Sequence, residues 1–237
     1  MIGCLLLHGY TGAPYEVEPL AQYLQEREDW YVSIPTLPGH GIEQMDHVPY
    51  TQWIEAAEKA LMELYEECST VYVVGFSMGG MIAAYLAANH KVDKLVLLSA
   101  SAKYIEPVQF ITDIASMARN GFRGEWEQDV LYKRYRHKVG KTPIRSVFEF
   151  RKCVQATAPC LSEIECPTYI VQGEQDALVP KQTAYYLSEC IGDAVIGITF
   201  LANSKHLVCL DEDREIAFQV VHNFLQLSPV RRERVEQ

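Results

Sequence analysis

Six short, mainly apolar runs punctuate the chain, at residues 4–7, 31–34, 71–74, 94–99, 167–172 and 196–201. A strand with one face in water alternates apolar and polar residues; a strand buried on both faces does not. These runs scarcely alternate. Stretches with helical spacing separate them. Such a pattern specifies an α/β fold: a mostly parallel sheet of at least six strands, with helices on both faces.

The helices are legible from their apolar stripes. Residues 14–28 open with Pro14 and place Val17, Leu20, Ala21 and Leu24 on one face. Residues 53–68 repeat Ile54, Ala57, Leu61, Leu64, Tyr65 and Cys68. A helix over 180–191 is bracketed by Pro180 and Gly192, and the last begins near Asp211. Asp211, Glu212 and Asp213 would form its acidic first turn, suited to the positive end of the helix dipole. Residues 102–162 break the rhythm, with helical signals but no strand. They read as a helical cap inserted between the fourth and fifth strands of a single domain spanning 1–237.

Composition narrows the function classes. The net charge of −10 opposes nonspecific nucleic-acid binding. Seven cysteines, an odd number without a CxxC pair, suit free thiols in a reducing compartment rather than a disulfide framework or a zinc site. No basic residue precedes the apolar start, and no run approaches the ~18 apolar residues of a spanning helix. A soluble, cytoplasmic protein without stable membrane insertion is expected. The oligomeric state is not legible.

The most specific stretch is Thr70–Ala87, TVYVVGFSMGGMIAAYLA. It begins as a buried strand and ends as a helix, with Ser77 between Gly75 and Gly79. A sharp strand-to-helix turn holds a nucleophile in a strained conformation, and residues two positions either side must be small. The turn also sets the hydroxyl at a helix N-terminus. The bland alternative is a glycine-rich turn chosen for close helix–sheet packing, and Ala83, Ala84, Ala87 and Ala88 fit that too.

A serine needs a base, and the base an orienting acid. In this architecture they follow the serine in that chain order of acid, then histidine, each after a later strand. Asp176 lies in GEQDALVP after the fifth run, with Glu174 as a rival; His206 lies in NSKHL after the sixth. His222 falls mid-helix and reads as a packing or surface residue. The expected oxyanion donors are the backbone N–H of Met78, directly after the serine, and that of Tyr10 in the HGYTG loop after the first strand.

Together, LLLHGYTG, PTLPGHG, GFSMGG, GEQDALVP and SKH resemble the α/β-hydrolase superfamily in order and across nearly the whole chain. The likeness is to small bacterial carboxylesterases and monoacylglycerol lipases with a helical cap. It implies a serine hydrolase of carboxylic esters acting on a small-molecule substrate, without metal or cofactor. It assigns Ser77 as nucleophile, Asp176 as acid, His206 as base, and Tyr10 and Met78 as oxyanion donors. Lys205 departs from the glycine common before that histidine, and the extra antiparallel strands of larger relatives are not evident. Thioesterase or other acyl-hydrolase chemistry on the same triad, or a noncatalytic binder, are the alternatives. The cap also carries a local charge excess: from Arg119 to Lys152 there are ten cations and four acids in a chain of net −10. A solvated helix face explains that; steering of anionic substrates is the sharper reading.

Overall fold

The structure, a computed structural model, describes residues 1–41, 48–102 and 144–227. Six strands form one sheet: β1 (Ile2–Leu7), β2 (Tyr31–Ser33), β3 (Thr70–Phe76), β4 (Lys94–Leu98), β5 (Thr168–Gly173) and β6 (Val195–Leu201). Their order is β2-β1-β3-β4-β5-β6, and every pairing is parallel. All six apolar runs are strands. The described helices are α1 (Glu18–Gln25), α2 (Tyr50–Glu67), α3 (Met78–Asn89), α4 (Ile144–Thr157), α5 (Gln182–Ile191) and α6 (Arg214–Gln226).

Both faces of the sheet are covered, which is why the strands lack polar alternation. Leu5, Leu7, Val71, Val73, Leu95 and Leu97 pack into the core shared with α2, α3, α4 and α5. Cys4, Leu6, Tyr72, Val74, Val96 and Leu98 point the other way, toward α1 and α6. The chain leaves β1 toward β2 on one side and returns to β3 on the other. This reversal opens a crevice at the carboxyl ends of β1 and β3, where open α/β sheets place their sites.

Two helix boundaries differ from the sequence expectation. The stretch expected as one helix over 14–28 is a 3₁₀ turn, Pro14–Glu16, followed by the separate α1. Pro19 lacks an N–H and its ring would clash with the carbonyl four residues back, so a helix cannot run through from Pro14. The final helix begins at Arg214, and Asp211, Glu212 and Asp213 lie before it. Their acidity does not serve a first turn; two of them hold a loop described below.

Of residues 102–162, expected as a cap, α4 and a 3₁₀ stretch, Ala158–Glu163, are described. Val147, Phe150, Cys153 and Val154 of α4 are buried in the core that α3 also enters. Residues 103–143, including Arg134, Arg136 and Lys138, lie outside the described residues, as do most of the cations counted above. Among the described residues no helix is long and apolar enough to cross a membrane. The cysteines are free, and burial pushes the Cys4, Cys153 and Cys209 thiols up to about 12.

Candidate active site

Ser77 stands between the end of β3 and the start of α3, with φ 54 and ψ −117. That is a left-handed conformation an L-residue adopts only at a cost of order 1–3 kcal/mol. Its surroundings impose it. A Cβ on Gly75 would sit 2.3 Å from the Gly79 carbonyl oxygen; one on Gly79 would sit 2.5 Å from the carbonyl oxygens of Leu7 and His8. These are backbone atoms, which shift only at a cost. The missing Cβ atoms let α3 close on the sheet, and the turn at Ser77 goes with that closure.

The Ser77 Oγ lies 3.0 Å from His206 Nε2, and His206 Nδ1 lies 2.7 Å from Asp176 Oδ2. All three residues are buried. A carboxylate only accepts, so His206 Nδ1–H donates to Asp176, which leaves Nε2 bare to accept from the serine. Asp176 is fixed in turn: its Oδ1 accepts from the N–H groups of Leu178 (2.9 Å) and Val179 (2.8 Å), and its Oδ2 from Gln172 Nε2 (3.1 Å). The rival Glu174 is exposed and lies 3.8 Å from Lys181. Only Asp176 reaches the histidine.

Sequence reasoning missed the supports of the histidine loop. Asp213 Oδ2 accepts from the Asn203 N–H at 2.6 Å, and Asp211 Oδ2 from the Lys205 N–H at 2.6 Å. The backbone N–H and then the side-chain amide of Asn203 hold the Asp213 carboxyl below its usual 3.8. Gly173 lets the loop close on β5, since a Cβ there would sit 2.1 Å from the Lys205 carbonyl oxygen. The Phe76 ring packs 5.0 Å from that of His206. His222, by contrast, lies away from this group and pairs with Glu28 at 2.7 Å.

The HGYTG loop lies against the serine turn. A Cβ on Gly9 would sit 3.2 Å from the Ser77 Cβ. The Gly9 N–H donates to the buried Glu16 carboxylate at 2.8 Å, which fills the space that Gly12 leaves. This tertiary bond is a second reason for the 3₁₀ turn at Glu16. His8 Nε2 accepts from the Leu37 N–H at 3.0 Å and ties the loop to the PTLPGHG segment. The Tyr10 ring stacks on Phe150 of α4 at 4.9 Å, and its hydroxyl lies 2.6 Å from Ser146 Oγ. Burial pushes the Tyr10 phenol well above its ordinary range, so it stays a neutral hydroxyl. Met78 is the first residue of α3, where a helix leaves its N–H groups without intrahelical partners. Among the described residues no cluster of His, Cys, Asp and Glu has the geometry of a metal site.

Ser101 was also missed. Its Oγ lies 3.0 Å from Ser77 Oγ, and its N–H donates to the Ser77 carbonyl at 3.2 Å. Nothing in the local sequence marks it, because it reaches Ser77 only across the β3–β4 pairing.

Known proteins share this frame. The thermostable monoacylglycerol lipase of Bacillus sp. (strain H-257) is 29% identical over 234 residues, covering 92% of this chain and 88% of that protein. The carboxylesterase of Bacillus subtilis (strain 168) is 24% identical, covering 94% and 91%. A solved structure from work on the metagenome-derived lipolytic enzymes LipS and LipT superposes with a TM-score of 0.73 at 24% identity, over 94% of this chain and 93% of that one. The family model described as "Alpha/beta hydrolase family" matches residues 4–219. With a parallel sheet, a strained serine at the β3–α3 turn and an acid and a histidine after β5 and β6, the chain belongs to the alpha/beta hydrolase family.

Proposed function

We propose that this protein is a serine esterase that cleaves short- to medium-chain acyl esters or monoacylglycerols through an acyl-enzyme. The observation that carries the reading is the continuous hydrogen-bonded line from Ser77 through His206 to Asp176, 3.0 and 2.7 Å per step, at the carboxyl edge of the sheet. Ser77 Oγ attacks the ester carbonyl as His206 Nε2 takes its proton. The N–H groups of Tyr10 and Met78 hold the oxyanion. The imidazolium, stabilised by Asp176, protonates the leaving alcohol. Water, deprotonated by the same imidazole, then releases the acid and restores Ser77.

The substrate class rests on relatives named monoacylglycerol lipase and carboxylesterase. Segment 102–162 serves as the cap, and α4 joins it to the Tyr10 loop through Ser146 and Phe150. The test is a fluorophosphonate label followed by a chain-length series of esters, with matched thioesters alongside. The label is expected on Ser77, and esters should turn over faster than thioesters. Ser77→Ala should lose on the order of 10⁶ in kcat, as when a nucleophile acts as one unit with its base. Retention of a few per cent of the activity would remove Ser77 from the role.

A further inference from the structure

We infer that Ser101 is a further catalytic residue: its hydroxyl donates a hydrogen bond to Ser77 Oγ and stabilises the charge on that oxygen as it enters and leaves the acyl-enzyme. The inference rests on the reading of Ser77 as the nucleophile.

The direction of the bond follows from the far end of the line. Asp176 accepts, so His206 Nδ1 donates and Nε2 is left to accept the Ser77 hydroxyl proton. With its one proton committed, Ser77 Oγ can only accept from Ser101 Oγ, 3.0 Å away. The hydrogen bonds therefore run Ser101 to Ser77 to His206 to Asp176. Ser77 and Ser101 are each only 3% exposed, so bulk water does not compete for that position.

Ser101 arrives at Ser77 through a construction of its own. The Ser77 N–H donates to the Leu98 carbonyl at 2.9 Å, and Ser99 N–H to Val171 at 2.9 Å. At Ser99 the chain turns with φ 43, a left-handed conformation, and the Ser101 N–H comes back to the Ser77 carbonyl. Ala100 lies where a Cβ on Gly80 would be, 2.6 Å from its own Cβ. Gly80 is not one of the glycines that the serine turn requires. Its missing side chain is what admits the 99–101 segment beside Ser77. A strained residue, a matched glycine and two hydrogen bonds thus converge on one hydroxyl.

The chemistry uses a donor at this position twice. During acylation the Ser77 O–H bond breaks, its proton goes to His206 Nε2, and the Oγ–carbonyl bond forms; Oγ carries partial negative charge before that bond is complete. During deacylation water adds to the acyl carbonyl and gives a proton to His206; the Oγ–carbonyl bond then breaks, its electron pair returns to Oγ, and His206 passes that proton to Oγ. In both steps Ser101 keeps its own proton and only donates a hydrogen bond. Hydrogen bonds to charged groups are stronger than those between neutral ones, so the bond strengthens where charge develops.

The experiment compares wild type, Ser101→Ala and Ser101→Thr by the second-order rate of fluorophosphonate labelling, by kcat and KM on one ester, and by Tm. Mass mapping of the labelled peptide reads the residue modified. Ser101→Ala should slow both labelling and kcat by about 10- to 100-fold, with KM changed less than about twofold. Its Tm should stay close to wild type, because the backbone bond to Ser77 survives. Ser101→Thr, which keeps the hydroxyl, should recover most of the labelling rate. Labelling of the alanine variant at the wild-type rate overturns the inference while leaving Ser77 as nucleophile. So does a raised KM with kcat unchanged, or a stable threonine variant as slow as alanine. A wild-type label mapped to any residue other than Ser77 sinks the underlying reading and this one with it.

Discussion

Ser77 and His206 meet at 3.0 Å, yet opposite means hold them there. Around Ser77 the determinants are absences. Gly75, Gly79 and Gly80 leave space that backbone and Ala100 occupy. Around His206 the determinants are charges. Asp213 and Asp211 accept the N–H groups of Asn203 and Lys205, and Asp176 accepts from the ring. Steric exclusion is indifferent to pH and salt. The Asn203 N–H holds the Asp213 carboxyl below its usual value, so that support depends on pH where packing does not.

The largest effect on this contrast should come from the steric half. Gly79→Ala would drive a Cβ into two carbonyl oxygens at 2.5 Å, and only backbone movement relieves that. The expected cost is on the order of 3 kcal/mol, with loss of turnover in the protein that still folds. Denaturant melts and active-site titration would check both, and the deficit should be the same at pH 5 and pH 8. A Gly79→Ala enzyme with wild-type kcat would show that the turn has slack.

Asp213→Ala tests the charged half, and its effect should be smaller. With the Asn203 N–H left without its acceptor, the His206 loop loses registry and kcat should fall by about 10-fold, with a lower Tm. The pH dependence has a definite sign. The folded state lowers the Asp213 pKa from 3.8, chiefly through the Asn203 N–H. Its stabilisation is therefore complete above the unfolded value and is lost as pH falls through the folded one. The Tm difference between wild type and Asp213→Ala should be full at pH 6 and shrink below about pH 4. A gap that stayed constant down to pH 3 would mean that the carboxylate's charge is irrelevant there.

The smallest effect belongs to Tyr10→Phe. It removes the hydroxyl bonded to Ser146 but keeps the ring on Phe150 and the backbone N–H. A loss of about 1 kcal/mol of stability with kcat nearly unchanged is expected, read by melting and steady-state kinetics. A large drop in kcat would instead mean that α4 sets the position of the HGYTG loop through that hydroxyl.

The two halves also differed in how far they could be read beforehand. The glycine turn was legible because its constraint is local: Gly75, Ser77 and Gly79 lie within five residues and flank a strand–helix junction. Asp176 and His206 were found by their place after β5 and β6, although Glu174 stood as a rival until the fold buried one acid and left the other facing Lys181. Asp211 and Asp213 were misread. As a run of acids before a helix they satisfy a helix-dipole rule equally well, and nothing local says that the loop six to ten residues earlier folds back onto them.

The amino-acid sequence by itself determined the architecture: the six strands, their burial on both faces, and the serine turn. Each of these depends on apolar periodicity or on residues close in the chain, and such short-range patterns survive without knowledge of the fold. Tertiary structure alone decided which carboxylates serve the site, where Glu16 goes, and that Ser101 reaches Ser77. Those contacts join residues from four to thirty positions apart in the chain. Parallel strand pairing brings most of them together at one edge of the sheet, and a hydrogen bond between two such groups leaves no trace in the spacing of either.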